Sequence, residues 1–420
     1  MTRLKRPASM MPAALLAAVT FIICVPGCGG EKETFFVSGA VLASGDVGDP
    51  LAGVTARCAG TDVTALTGAD GRFLLECPVP AADDEIDGLV PAAMIWFQHP
   101  DFAPVVRTIV PTVDGHYTMA PVMIKAVVRA DVDIPAGNTS VPVLLGALTL
   151  SFERDAMIDA GGTPLTGNVP FDAAGWDNSL PVEEDEASGS IVMDSLYPPW
   201  PRPVLDNSEG GPWMRPLSAG WYDLGVNAVN PEVPVLFQLF SRFADDVAGR
   251  DVRGASDANL FLMDADSTIP IRDDGAALTA INQIATEALT DGLMVWMVPV
   301  TTHACIDVTV MKGDFRATGA QVTAFETFNG ELELFCDEAI GADDGTYCLN
   351  APSGRQVRIT AILDGLDGLL VENVDMLSGS NAACGTGCAT TTINFPCEIN
   401  EECDVGYTCE AGVCTPVEPA

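Results

Sequence analysis

From Phe36 onward the chain alternates short apolar stretches with turn residues, and within the stretches apolar and polar positions follow the two-residue period of half-buried strands. Val37-Ser38-Gly39-Ala40-Val41-Leu42 is followed by a turn-rich segment from Ser44 to Pro50, then by Val54-Thr55-Ala56-Arg57-Cys58, where Val54, Ala56 and Cys58 share a face. After Asp70-Gly71, residues Phe73, Leu75 and Cys77 share a face as well. Asp-Gly supplies the positive backbone angles of a tight turn, so Thr67–Leu75 predicts a hairpin turn feeding an apolar strand. Its pattern returns far downstream in Gly341–Leu349, around Asp344-Gly345. With both thiols pointing inward from neighbouring strands and no further cysteine before Cys305, Cys58 and Cys77 form the simplest disulfide.

Between these echoes, Leu148–Phe152, Val235–Phe240 and Leu293–Val298 are runs short enough to be buried strands. The cluster Asp159–Gly167 reads as a turn. Ala277, Leu278, Ile281, Ile284, Ala285, Ala288 and Leu289 recur at helical spacing and predict one short helix. Residues 172–216 are rich in proline, glycine and acid, and Glu183-Glu184-Asp185-Glu186 within them reads as a solvated loop.

The pattern restarts at Cys305, with Ile306, Val308 and Val310 on one face and Thr318–Phe325 matching Leu51–Ala56. Cys336 and Cys348 flank the second Asp-Gly turn and are a reasonable pair, and Cys305 is placed to reach Cys384 or Cys388, leaving the odd thiol among these three. In the tail, Cys397, Cys403, Cys409 and Cys414 are closely spaced with almost no apolar residues between them. Such a segment cannot fold on a hydrophobic core and must be stapled. Four cysteines allow three pairings; zinc is the competing reading.

The order V-x-G-x-V (Val37–Val41), a proline-bearing turn, A-G-V-T-A (Ala52–Ala56), A-D-G-R-F (Ala69–Phe73) and His99-Pro100-Asp101-Phe102-Ala103-Pro104 resembles the carboxypeptidase regulatory-like domain, a small transthyretin-like β-sandwich. The resemblance covers residues 36–125 and implies a non-catalytic accessory or display module. Residues 303–395 read as a second copy. The tail, 396–420, resembles the small EGF-like cysteine-rich repeats of exported surface proteins. Residues 126–302 are a middle β domain of unknown kind with long loops. The fold class expected is therefore mostly β: several β-sandwich modules and a disulfide-rich C-terminal tail. Forty glycines, 30 prolines and an aromatic content of only 7% suit short strands and many turns better than long helices.

The first 27 residues begin with Arg3, Lys5 and Arg6, contain no acid and continue into an apolar run ending at Val25-Pro26-Gly27-Cys28, the layout of an export signal. That tetrapeptide resembles the bacterial lipobox. The resemblance implies diacylglycerol on Cys28, a tether over 28–35, membrane attachment through the lipid, and an outer-membrane or cell-surface location. The alternative is a soluble secreted protein with Cys28 in a disulfide. Loss of the leader removes those three cations and carries the formal charge from −38 to −41. With Lys5, Lys32, Lys125 and Lys312 as the only lysines, there is no basic footprint for nucleic acid. Thirteen cysteines less Cys24 and Cys28 leave eleven, an odd number, in a chain whose compartment favours pairing.

Catalytic motifs are scarce. His99, His116 and His303 are the only histidines, and HExxH, G-x-S-x-G and the phosphate-binding loop are all missing from the sequence. Carboxylates are too numerous for any pair to mark a glycosidase. Asp46, Asp49, Asp70, Asp343 and Asp344 lie in turns and would suit calcium, although turn geometry already accounts for them. Trp96, Trp176, Trp200, Trp213, Trp221 and Trp296 offer core packing or sugar-stacking faces. The expected function is binding, adhesion or display at the cell envelope, with a carbohydrate or protein ligand and no catalytic, cofactor or metal residue. The alternative is an envelope enzyme or enzyme accessory acting on polysaccharide or peptide through residues 126–302. A concave pocket with two partly buried carboxylates in the middle block would favour the enzyme.

Overall fold

The computed structural model describes residues 33–416 except 44–48, 81–92, 110, 112–114, 120–121, 135–139, 180–183, 186–189, 192–212, 255–258, 264–270, 281, 329–331, 343, 366–367, 380–383, 385–386, 400–401 and 404–406. The leader, Cys28, Trp200, Asp46 and Asp343 lie outside the described residues, as does all of the acidic run but Glu184 and Asp185. The fold is almost wholly β.

The first set of strands is β1 (Thr34–Ala43), β2 (Thr55–Cys58), β3 (Thr64–Leu66), β4 (Arg72–Pro78), β5 (Ala93–His99), β6 (Phe102–Ile109), β7 (His116–Thr118) and β8 (Val122–Ile124). They make two sheets, β4-β1-β7 with β8 also on β1, and β3-β2-β5-β6. Phe35, Val37, Phe73 and Leu75 of the first face Ala56, Ile95 and Phe97 of the second across one core.

The last set repeats this topology. It comprises β24 (His303–Lys312), β25 (Phe315–Arg316), β26 (Gln321–Phe328), β27 (Leu332–Ile340), β28 (Thr346–Pro352), β29 (Gln356–Gly365), β30 (Gly368–Leu377) and β31 (Ala389–Phe395). One long strand, β31, stands in the place of β7 and β8, and a short strand, β25, is added on β24. β24 pairs antiparallel with β28 and parallel with β31, as β1 does with β4 and with β7 and β8. The sheet β27-β26-β29-β30 matches β3-β2-β5-β6. His303 is the first residue of β24.

Between the two lie β9 (Val128–Ile134), β10 (Val141–Leu145), β11 (Leu148–Phe152), β12 (Met157–Ile158), β13 (Gly167–Asp177), β14 (Glu184–Asp185), β15 (Ser190–Ile191), β16 (Met214–Asp223), β17 (Ala228–Val229), β18 (Val235–Phe240), α1 (Ala244–Ala248), β19 (Asn259–Met263), β20 (Ile271–Arg272), β21 (Ala277–Ala280), β22 (Gln283–Ala288) and β23 (Gly292–Pro299). A five-stranded sheet, β10-β11-β18-β22-β21, faces a six-stranded one, β20-β19-β23-β16-β13-β9. Side-chain parity shows why β23 is apolar throughout: Met294, Trp296 and Val298 enter the core between these sheets, while Leu293, Val295 and Met297 point the other way. That second face is covered by the first sandwich, through Met94, Trp96, Ala103 and Val106. β5 is buried on both faces for the same reason, with Ile95 and Phe97 in its own core and Met94 and Trp96 against the six-stranded sheet.

Three expectations need correction. The helix expected over residues 277–289 is the β21-β22 hairpin, turned at Asn282 with φ 58°; a single five-residue helix among the described residues sits instead at Ala244–Ala248. The apolar spacing there matched helix and hairpin equally, and pairing of β22 with β18 decides for strand. Secondly, the two Asp-Gly turns do not close hairpins. Each carries the chain from one sheet to the other, β3 to β4 and β27 to β28. Cys58 and Cys77 are thus on facing strands rather than neighbouring ones, and their disulfide spans the core of the first sandwich.

Thirdly, Cys336 and Cys348 are not paired. Cys348 lies between the buried Tyr347 and Leu349 and projects from the opposite face of β28, whereas Cys336 is fully buried in the core. Cys348 bonds Cys384, Cys305 bonds Cys388, and Cys336 is the free thiol. In the tail, β32 (Tyr407–Glu410) and β33 (Val413–Pro416) form a hairpin stapled by Cys397–Cys409 and Cys403–Cys414. The four tail sulfurs are all in disulfides.

Candidate functional site

The turn aspartates are occupied by backbone. The Asp70 carboxylate accepts the Arg72 N–H at 3.1 Å and that of Asp344 accepts the Thr346 N–H at 2.9 Å, while Gly71 and Gly345 take φ near +70° (72° and 71°). Thr67 completes the first turn by accepting from Val54 N and donating to the Leu51 carbonyl. Asp49 is exposed. His99 ends β5, its Nδ1 accepting from Asp101 N across the following turn, and His116 stacks on Phe36. Among the tryptophans, Trp96, Trp176, Trp213 and Trp296 are buried, and Trp221 is half-buried.

The concave feature with the richest chemistry opens at the rim where the first sandwich meets the six-stranded sheet. It is a cleft of about 490 Å³, in the size range of small-molecule sites. β5 supplies Trp96 and Gln98, the end of β16 supplies Trp221 and Asp223, and the turn before β23 supplies Asp291, with Ile271 of β20 exposed beside them. The strand pairing places these residues: β16 runs antiparallel to β23, so Trp221 lies opposite Leu293 and Tyr222 opposite Gly292, bringing the β16 end next to the turn at Asp291.

This rim is locked from beneath. Tyr222 donates its buried hydroxyl to the Thr290 carbonyl at 2.9 Å, and burial raises its ionisation far above the ordinary phenol range. Asp291 Oδ2 accepts the Leu224 N–H at 3.1 Å, and Asp223 Oδ1 accepts the Gly225 N–H at 2.7 Å. Burial pushes the Asp291 carboxyl above the ordinary carboxylate value, the Leu224 N–H opposes the shift, and the charge of Asp223 adds to it. Trp96 is 3% exposed and its Nε1–H has no hydrogen-bond partner among the described residues. No lysine or arginine lines the cleft among the described residues.

Trp96 and Trp221 were legible in the sequence as candidate stacking residues. Gln98, Asp223 and Asp291 were not, because nothing in sequence distinguishes them from the chain's other acids and amides. The one usable signal would have been the apolar runs Leu293–Val298 and Ala93–Phe97, whose two-sided burial implies a sheet-on-sheet seam with a rim. Of the carboxylates, Asp291 is half-buried and Asp223 exposed, so the cleft does not hold two partly buried acids.

No family model and no curated protein matches the sequence. Among solved structures, the chain is similar to the major pilin subunit BcpA of Bacillus cereus at 10% identity, over 86% of this chain and 99% of that one, with a TM-score of 0.17. A putative carbohydrate binding protein from Bacteroides uniformis matches at 8% identity, over 82% and 98%, with a TM-score of 0.16. A type II cohesin-X-dockerin complex of Acetivibrio cellulolyticus matches 22% of this chain at 17% identity with a TM-score of 0.17, and the chain spans 58% of the length of that one. Scores of this size establish no shared fold.

Proposed function

We propose that this chain is a non-catalytic binding or display protein of the bacterial cell envelope, exported by residues 1–27 and held at the outer membrane or cell surface by a lipid on Cys28. The observation that carries the binding reading is the rim cleft, where two indoles, an amide and two carboxylates meet on a seam of rigid sheets. Sites on such elements keep their geometry when empty, as a binder requires. Five disulfides support an oxidising compartment. In this reading residues 36–125 and 303–395 are regulatory-like sandwiches flanking the middle domain 126–302, and 396–420 is an EGF-like cap. The acidic surface disfavours nucleic acid.

Metabolic labelling with a fatty-acid analogue tests the anchor: the wild type is expected to be labelled and Cys28→Ala not, and equal labelling of both would overturn it. One observation favours a second reading, a polysaccharide or peptide hydrolase. The Asp291 carboxyl, raised by burial beside Asp223, resembles the environment of a general acid. Turnover of a polysaccharide or peptide that is abolished by Asp291→Asn would establish the enzyme in place of the binder.

A further inference from the structure

We infer that the rim cleft takes a neutral saccharide, an inference that rests on the cleft being this protein's binding site. A sugar ring is amphipathic: its C–H faces pack on indole, and its hydroxyls each donate and accept hydrogen bonds around the edge. Trp221, half-buried at the rim, supplies the apolar surface, with the edge of the buried Trp96 behind it. Asp223 and Asp291 supply acceptors, and Gln98, which is exposed, both donates and accepts.

Competing ligand classes fit less well. An anionic sugar, phosphate or acidic peptide would meet two carboxylates and no lysine or arginine among the lining residues. A purely apolar ligand would cover those carboxylates without replacing the water they lose. A lysine or arginine side chain would satisfy the carboxylates but offers no acceptor to the exposed Gln98 amide. A hydroxyl-bearing ring answers every polar group that faces the opening, accepting from Gln98 and donating to Asp223 and Asp291. The cleft's open rim, where Trp221 is half-buried and Ile271 is 55% exposed, allows a longer glycan to run past it.

The test uses the full exported chain on two arrays: neutral gluco-, xylo-, manno-, galacto- and N-acetylhexosamine oligosaccharides on one, lysine- and arginine-rich peptides on the other. At least one neutral oligosaccharide class is expected to bind, with affinity unchanged between about 0.1 and 0.5 M salt, since no charge pairing is involved. Trp221→Ala is expected to weaken that binding by about tenfold or more, and Trp221→Phe by less. Gln98→Ala, at an exposed position outside the core, provides a second loss of binding should Trp221→Ala fail to fold. Peptide binding that is sensitive to Trp221 and to salt, with no glycan binding, would overturn the saccharide inference and leave the cleft as the binding site. No binding sensitive to Trp221 or Gln98 on either array would overturn both.

Discussion

The first and last sandwiches share one topology, yet the main contact each makes with the middle domain differs in chemistry. The first lays the outer face of β5 and β6 on the six-stranded sheet through Met94, Trp96, Ala103 and Val106, an apolar seam with the exposed Arg129–Asp101 ion pair at its edge. The last is held by buried charge. Arg215 of β16, fully buried, donates to the Phe335 carbonyl at 2.7 and 2.9 Å, to the Val247 carbonyl at 3.1 Å and to Glu326 Oε2 at 3.1 Å. The same sandwich meets the first through Arg107, 3.8 Å from the buried Glu338, which also accepts from Gln321 at 2.6 Å. Apolar contact is strong but indifferent to small sliding, whereas a guanidinium with four hydrogen bonds accepts only one placement. The apolar seam therefore supplies adhesion between layers, and the charged junction fixes the angle and register at which the last sandwich sits.

Removing the charge should break the comparison most visibly. Arg215→Met removes the hydrogen bonds to the Phe335 and Val247 carbonyls and leaves Glu326 buried with the Arg355 guanidinium, 3.5 Å away, as its remaining cation among the described residues. The expected loss is about 3–5 kcal/mol in urea unfolding, with part of it recovered in Arg215→Met/Glu326→Gln because the stranded charge is gone. No recovery in the double variant would mean that the pair does not act as a unit. In the apolar seam, Val106→Ala should cost about 2 kcal/mol, the transfer of two carbon groups plus a small cavity, with no rescue by any charged partner.

The shared part of the two sandwiches makes a smaller prediction. Asp70→Ala and Asp344→Ala each remove one carboxylate acceptor from the N–H two residues on, so each should cost about 1 kcal/mol, and the two costs should agree to within the small contribution of the exposed Arg316–Asp344 pair. Unequal costs would show that the turns, though matched in geometry, carry different loads.

These turns also mark how far the sequence could be read. Their repetition falls in two β units with matching strand pairing, and it could be read because Asp-Gly and the alternating Phe73/Leu75 and Tyr347/Leu349 are local signals. Whether such a turn closes a hairpin or carries the chain to the facing sheet depends on which strands β4 and β28 pair with, and those partners, β1 and β24, lie far away in sequence. The cysteines divide similarly. Cys58 and Cys77 share inward parity and meet across a core, while Cys348 has the parity of the exposed Leu74 and turns away from Cys336. Parity was available in the sequence for both, but only pairing of the sheets shows which inward faces oppose. The cleft was least legible, because Trp96, Asp223 and Asp291 converge through the packing of two sheets. The free Cys336, pushed up to about 12 by burial, should accordingly resist thiol reagents at neutral pH in the native chain and react once it is unfolded.

The smallest effect concerns the rim of the apolar seam, where Asp291 is the titrating group. Its folded-state value is raised above the ordinary carboxylate value of 3.8, first by burial and also by the charge of Asp223, against the opposing Leu224 N–H. A carboxyl shifted in this direction binds its proton more tightly in the folded chain. Its contribution to stability is thus fully present below the unfolded value and is lost as pH rises through the folded one. Asp291→Asn keeps an oxygen to accept the Leu224 N–H but cannot ionise. The stability of the variant relative to wild type should therefore improve as pH is raised from about 3 to about 7. Thermal unfolding of the two proteins across that range measures it, and Asp223→Asn in the wild-type background should reduce the pH dependence by removing the neighbouring charge. A pH-independent difference between Asp291→Asn and wild type would place the titration elsewhere and leave the seam electrostatically silent.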